Sequence, residues 1–212
     1  MLAVATAAWL TGFAVLARAG TWVTFLMLGV PIAMAALALG AVPAALLRPS
    51  IKKIVGGLLV GVLMTSLTHA TYALVALLLP EVRAATARLF VLLEVGHFSP
   101  VARGGLIVII ATCEEIIFRG ALPVAPSESK QHPLPRVARG DFLRVVVYAT
   151  GYALAAAPLG SPLLVICALC CGVVWGAARV VTDSLVVPIV AHVVWDLGVL
   201  VAWPLLLTPG AQ

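Results

Sequence analysis

Run after run of this chain passes about 20 residues with almost no charged side chain, the length a helix needs to cross the hydrocarbon of a bilayer. Seven such runs lie between charges: 1–17, 21–47, 54–80, 104–125, 142–158, 160–178 and 184–206. They are rich in Ala, Leu and Val and lack the period-two alternation of a membrane strand, so helices are expected and a β-barrel is not. Of the 212 residues 63% are hydrophobic and only 10% charged, whereas a soluble domain carries about a quarter charged residues. Such a chain cannot cover its surface with polar groups. That excludes a soluble enzyme, a disordered chain and a disulfide-stapled secreted domain. The expected fold is all-α, a polytopic transmembrane helix bundle of about seven spans forming one integral-membrane domain over 1–212.

The segments between the runs refine this expectation. Ala17-Arg18-Ala19 resembles a signal-peptide cleavage site, but no positive charge precedes the first apolar run, so that run is expected to remain as a helix. Residues 81–103 mix Glu81, Arg83, Arg88, Glu94 and Arg103 with Leu, Phe and Val, which suits an interfacial amphipathic helix or a re-entrant piece. Residues 126–141, PSESKQHPLPRVARGD, read as a solvent loop, with His132 in it and His97 in the earlier one. The net charge of +5 does not suggest nucleic acid, because the basic residues are spread over short loops rather than along one stripe. Arg48, Lys52, Lys53, Lys130, Arg136, Arg139, Arg144 and Arg179 fall on one side of the expected bundle, and Arg18, Arg83, Arg88 and Arg103 on the other. The richer side is expected to be cytoplasmic, with the N-terminus in and the C-terminus out. Cys113, Cys167, Cys170 and Cys171 lie inside apolar runs and read as small hydrophobes.

Charged groups within a bilayer cost several kcal/mol each on insertion scales, so each needs a reason. The run 104–125 carries three together, Glu114, Glu115 and Arg119, in ATCEEIIFRG. Glu115 and Arg119 are four apart and share a helical face, so they can pair. Glu114 is rotated by about 100° from its neighbour and has no local cation. Two readings stand: a structural ion pair with one further buried carboxyl, or a poised carboxylate oriented by a Glu–Arg clamp. The run 184–206 carries His192 and Asp196, again four apart, either as polar glue between helices or as an imidazole whose tautomer a carboxylate fixes. Glu114 and His192 lie roughly 16 and 12 Å below the same expected boundary, close enough in depth to meet. A carboxylate and an imidazole in one buried cavity can activate a water for hydrolysis.

EEIIFRG resembles the EExxxR motif of the CPBP intramembrane proteases, which include the type II CAAX prenyl endopeptidases and the bacteriocin-processing or self-immunity proteins. GVVWGAARVVTDSLVVPIVAHVVWDLG resembles the final motif of that family, with His192 at its His and Asp196 where Asn or Asp often stands. The resemblance covers about 104–200. It implies that Glu114 is the general base, that Glu115 and Arg119 support it, and that His192 with Asp196 orients water or stabilises the oxyanion. It implies cofactor-free glutamic hydrolysis, with a divalent metal as an older alternative that Glu, His and Asp side chains would permit. One position departs. Where the family carries an aromatic followed four residues later by His, GYALAAAPLG places Tyr152 and then Ala156. An inactive relative, an engineered substitution or a histidine supplied from elsewhere would each account for it. His69, amid Thr65, Ser66, Thr68, Thr71 and Tyr72, is the candidate surrogate, or else a polar contact between helices.

The leading expectation is therefore an intramembrane endopeptidase acting on a membrane-associated protein or peptide. Prenylated C-termini, bacteriocin precursors and C-terminal sorting helices, as in myxosortase-like members, are the substrates the resemblance implies. The Ala-rich composition and the HVVWD form suggest a bacterial inner membrane. A catalytically silent peptide-binding or immunity scaffold is the alternative, and a proton-coupled transporter is a third, without a visible inverted repeat. The orientation is open to direct measurement. With Ser129→Cys, a membrane-impermeant maleimide is expected to label the protein only after the cells are permeabilised; labelling from outside intact cells would invert the topology.

Overall fold

The computed structural model describes residues 7, 9–12, 20–122 and 139–205. Among them no residue is in a strand, and the chain forms an all-helical membrane bundle. Its helices are α1 (Thr21–Ala38), α2 (Ile51–Leu78), α3 (Glu81–Leu92), α4 (Pro100–Glu114), α5 (Arg139–Ala156), α6 (Pro162–Thr182) and α7 (Val186–Leu197). A π-helical turn, Glu115–Arg119, prolongs α4, and a second, Gly198–Ala202, prolongs α7. Serine hydroxyls accept from backbone N–H groups to cap three starts: Ser50 from Lys53, Ser99 from Ala102 and Ser161 from Leu164. Pro100 and Pro162 follow two of these caps at the first helical position, where a missing N–H loses no bond.

Six of the seven expected runs are helical, with shifted ends; the first falls mostly outside the described residues, as does nearly all of the expected loop 126–141. Among the described residues four helices are long and apolar enough to cross a membrane: Thr21–Ala38, Ile51–Leu78, Gly140–Leu159 and Pro162–Thr182. The helical stretch from Pro100 to Arg119 carries Arg103, Glu114, Glu115 and Arg119, and Val186–Ala202 is shorter. The expected run 21–47 is cut at Ala38. Gly40 has φ +65°, Ala41 N–H donates to Ala36 O and Gly40 N–H donates to Leu37 O, which is a Schellman stop that hydropathy cannot register. The segment 81–103 divides into amphipathic α3, a turn in which His97 is exposed, and the first turn of α4. Arg103 and Arg179, assigned to loops by their charge, are buried helical residues. Arg103 donates to Val95 O, and Arg179 pairs with Asp183 at 2.8 Å.

Two pairs of glycines set the helices that carry the polar groups. On α2, a Cβ added at Gly57 would stand 2.9 Å from Val187 O, and one at Gly61 would stand 2.8 Å from Ala191 O. The α2 backbone therefore lies directly against α7, and Thr65 meets Gly198 one turn further on. On α6, Gly172 and Gly176 receive Ala149 and Val145 of α5 in the same way. In lipid there is no hydrophobic force between helices, so such small-residue stripes supply association through close van der Waals packing. α2 packs most heavily on α7, and α5 on α6. Gly61→Ala is expected to lower stability by about 1–3 kcal/mol through overpacking. Gly56→Ala, with nothing within 4 Å, is expected to be neutral or slightly stabilising. Thermal unfolding of both variants in detergent checks the contrast.

Candidate active site

The polar centre is assembled from α4, its π-turn, α5 and α7. Glu114 closes α4 and Glu115 opens the π-turn, so the two carboxylates leave the helix in different directions. A π-turn inserts one residue into the helical repeat and is frequent at functional sites. Gly120 N–H donates to Glu115 O at 2.9 Å, which closes the widened turn. Glu115 and Arg119 are both buried and pair at 3.1 Å. Gly172 leaves room for the guanidinium, because a Cβ there would stand 3.4 Å from Arg119 Nη2. The same guanidinium lies 4.3 Å from the centre of the Tyr152 ring, in cation–π contact.

His192 is held from both ends. Its Nδ1 lies 2.9 Å from Glu115 Oε1, and its ring stacks on buried Trp175 with centroids 5.7 Å apart. Its Nε2 lies 3.5 Å from Asp196 Oδ2 and 3.9 Å from Glu114 Oε2. The short contact therefore falls on Glu115 rather than on Asp196. Glu115, expected to pair with Arg119 in support of Glu114, also joins the cation to the imidazole. With Nδ1 anchored on this carboxylate, Nε2 faces Glu114. Glu114 has a second neighbour: the Tyr152 hydroxyl donates to its Oε2 at 2.7 Å.

These groups border a cavity of about 110 Å³, room for more than one water. Glu114, His192 and Asp196 line it together with Tyr152, Ala156 and aromatic rings that include Trp22 and Trp195. Cys167 and Cys171, read as small hydrophobes, form part of the wall. Ala156 lines the cavity too, as the last residue of α5. His69 is set apart. It does not line the cavity, its Nδ1 and Nε2 face Thr65 O at 2.9 Å and Trp203 O at 2.8 Å, and its ring lies 4.9 Å from that of Trp203. A surrogate for the missing histidine is therefore not found there; His69 ties α2 to the end of the α7 extension. His132 lies outside the described residues. Among the described residues no group of three His, Cys, Asp or Glu side chains is placed to hold a metal ion.

The sequence motifs brought out Glu114, Glu115, Arg119, His192 and Asp196. They did not show that the Tyr152 hydroxyl touches Glu114, or that Trp175 supports His192. The i, i+4 spacing of Tyr152 and Ala156 marked the correct face but could not supply a contact to a residue 38 positions away. The glycine pairs carried a readable signal, G-x-x-x-G within apolar runs.

Residues 96–198 match the family model described as type II CAAX prenyl endopeptidase Rce1-like, and this segment belongs to that family. It contains both motifs and the cavity residues Glu114, Tyr152, His192 and Asp196, and it carries the CAAX-type intramembrane protease fold. No curated protein and no solved structure matches the chain.

The buried Glu115–Arg119 pair has a measurable signature. Arg119→Ala leaves a buried carboxylate without its cation and is expected to cost about 3–5 kcal/mol. Replacing both partners, Glu115→Leu with Arg119→Met, is expected to regain part of that loss, the remainder reflecting the His192 Nδ1 left without its carboxylate. Unfolding of the single and double variants in detergent tests the coupling; a double variant no more stable than Arg119→Ala would refute it.

Proposed function

We propose that the protein is an intramembrane endopeptidase in which Glu114 activates water for attack on a peptide bond. The observation that carries this reading is the placement of Glu114 Oε2 3.9 Å from His192 Nε2 in a cavity with room for water. The gap is too long for a good direct hydrogen bond, yet a water about 2.8 Å from each group can touch both. Glu114 takes a proton from that water as general base, and His192 orients it. Glu115 and Arg119 hold His192 in place, and Asp196 sets the outer side of the imidazole. The largely apolar wall of the cavity strengthens each of these interactions. The mechanism routes no step through a cofactor.

The substrate in this proposal is a membrane-associated protein or peptide, and prenylated C-terminal sequences are one class by family. In this reading the protein works in a bacterial inner membrane with its N-terminus cytoplasmic, as the basic loops suggest. The methyl group of Ala156 on the cavity wall favours the second reading, a silent peptide-binding scaffold, because it removes one group able to act on substrate. One experiment separates the two. The purified full chain in detergent is incubated with a library of apolar quenched-fluorescence peptides, prenylated and unprenylated. Wild type is expected to cleave members of the library and Glu114→Ala to lose about 10²–10⁴ in rate. Peptide binding without cleavage, unchanged by Glu114→Ala, would instead make the protein a scaffold.

A further inference from the structure

We infer that the aromatic side chains of α1, Trp22 and Phe25, set the substrate class of this site: an apolar peptide with a small side chain, Gly, Ala or Ser, beside the scissile bond. The inference rests on the hydrolytic reading above. The cavity has two kinds of wall. Glu114, Tyr152, His192 and Asp196 supply polar groups from α4, α5 and α7, within the family segment 96–198. Trp9, Trp22 and Phe25 stand before that segment and line the cavity with bulky rings. The reacting groups and the rings that limit their space therefore come from different parts of the chain.

Trp22 is held on several sides. It is buried, its indole N–H donates to Leu93 O, and its ring meets that of Phe98 edge-on at 6.4 Å. It also packs with Ile107 and Ile110 of α4. Ile110 lines the cavity one helical turn before Glu114, so the indole sits about one turn from the base. Trp9 braces the adjoining Phe25 at 5.8 Å and meets Phe118 at 6.0 Å. Such a wall yields to a substrate only by breaking a hydrogen bond and close packing. The space it leaves is about 110 Å³, whereas a cavity of about 150 Å³ takes up benzene. A water, whose share of liquid volume is about 30 Å³, must enter together with the peptide carbonyl. What remains accommodates a methyl or hydroxymethyl group, and a Leu or Phe side chain overfills it. One methylene in an apolar pocket is worth about 10–200-fold in rate, so the size limit acts as a selection.

The test uses the full chain in detergent and the library peptide that wild type cleaves fastest, with the cleaved bond located by mass spectrometry. Each residue flanking that bond is varied in turn through Ala, Leu and Phe. Wild type is expected to lose about 10²-fold in kcat/KM from Ala to Phe at one of the two positions. Trp22→Leu is expected to narrow that Ala-to-Phe ratio by about tenfold. Phe25→Leu keeps the Trp22 bond to Leu93 and is expected to narrow the ratio in the same direction; it carries the test if Trp22→Leu does not give folded protein. A wild type that accepts Phe at both flanking positions as readily as Ala would overturn the inference and leave the protease reading intact. A preference for small side chains that neither variant relaxes would overturn it too, and would move the limit to the α6 side of the cavity. Absence of any Glu114-dependent cleavage by wild type would overturn both this inference and the protease reading.

Discussion

A single buried carboxylate, Glu115, joins a guanidinium of its own helix to an imidazole across the bundle. Its Oε1 lies 3.1 Å from an Arg119 nitrogen in its own helix and 2.9 Å from His192 Nδ1 across the bundle. In low dielectric an unpaired carboxylate is expensive and a paired one tolerable, so the imidazole and guanidinium are drawn to it. Once His192 Nδ1 is fixed there, Nε2 faces Glu114, Asp196 is set beside it, and the cavity has a defined polar wall. The π-turn that begins at Glu115 lets one helix present adjacent glutamates to different neighbours, Glu114 to Tyr152 and Glu115 to His192.

The glycine stripes supply the complementary constraint. A hydrogen bond of 2.9 Å between residues 77 positions apart tolerates little drift in the helices that carry them. Gly57 and Gly61 bring α7 onto α2, while Gly172 brings α6 onto α5 and leaves space for the Arg119 guanidinium. The positions of His192 and Tyr152 thus follow from backbones in near contact, where a single methyl group is enough to displace them. Polar pairing and close packing converge on the same few ångströms.

Much of this was legible in the chain, and what was not has physical causes. Apolar length found six of the helical runs, since crossing lipid leaves few alternatives to an α-helix. Helix ends were misplaced where backbone conformation overrides hydropathy, as at Gly40, or where a charge is buried with a partner, as for Arg179 with Asp183. Local spacing exposed Glu115 with Arg119 and His192 with Asp196, because i, i+4 pairs can be read along one face. It did not expose the exchange of partners that makes Glu115 the closer neighbour of His192, or the contact of Tyr152 with Glu114. Those contacts join residues far apart in sequence and depend on how deeply each helix sits, which one chain alone does not encode in any local pattern. Family resemblance directed attention to position 156. The hydroxyl one turn before it emerged only with the bundle assembled.

The aromatic wall has an optical consequence. Of the five tryptophans, Trp9, Trp22 and Trp195 line the cavity and Trp175 stacks on His192. Indole emission shifts with the polarity of its surroundings, and here it arises mainly within one small volume of mixed water and hydrocarbon character. Any guest that displaces water from that volume alters the colour and yield of the protein's own fluorescence. The bundle therefore signals occupancy without a label, separately from whether a bond is cut.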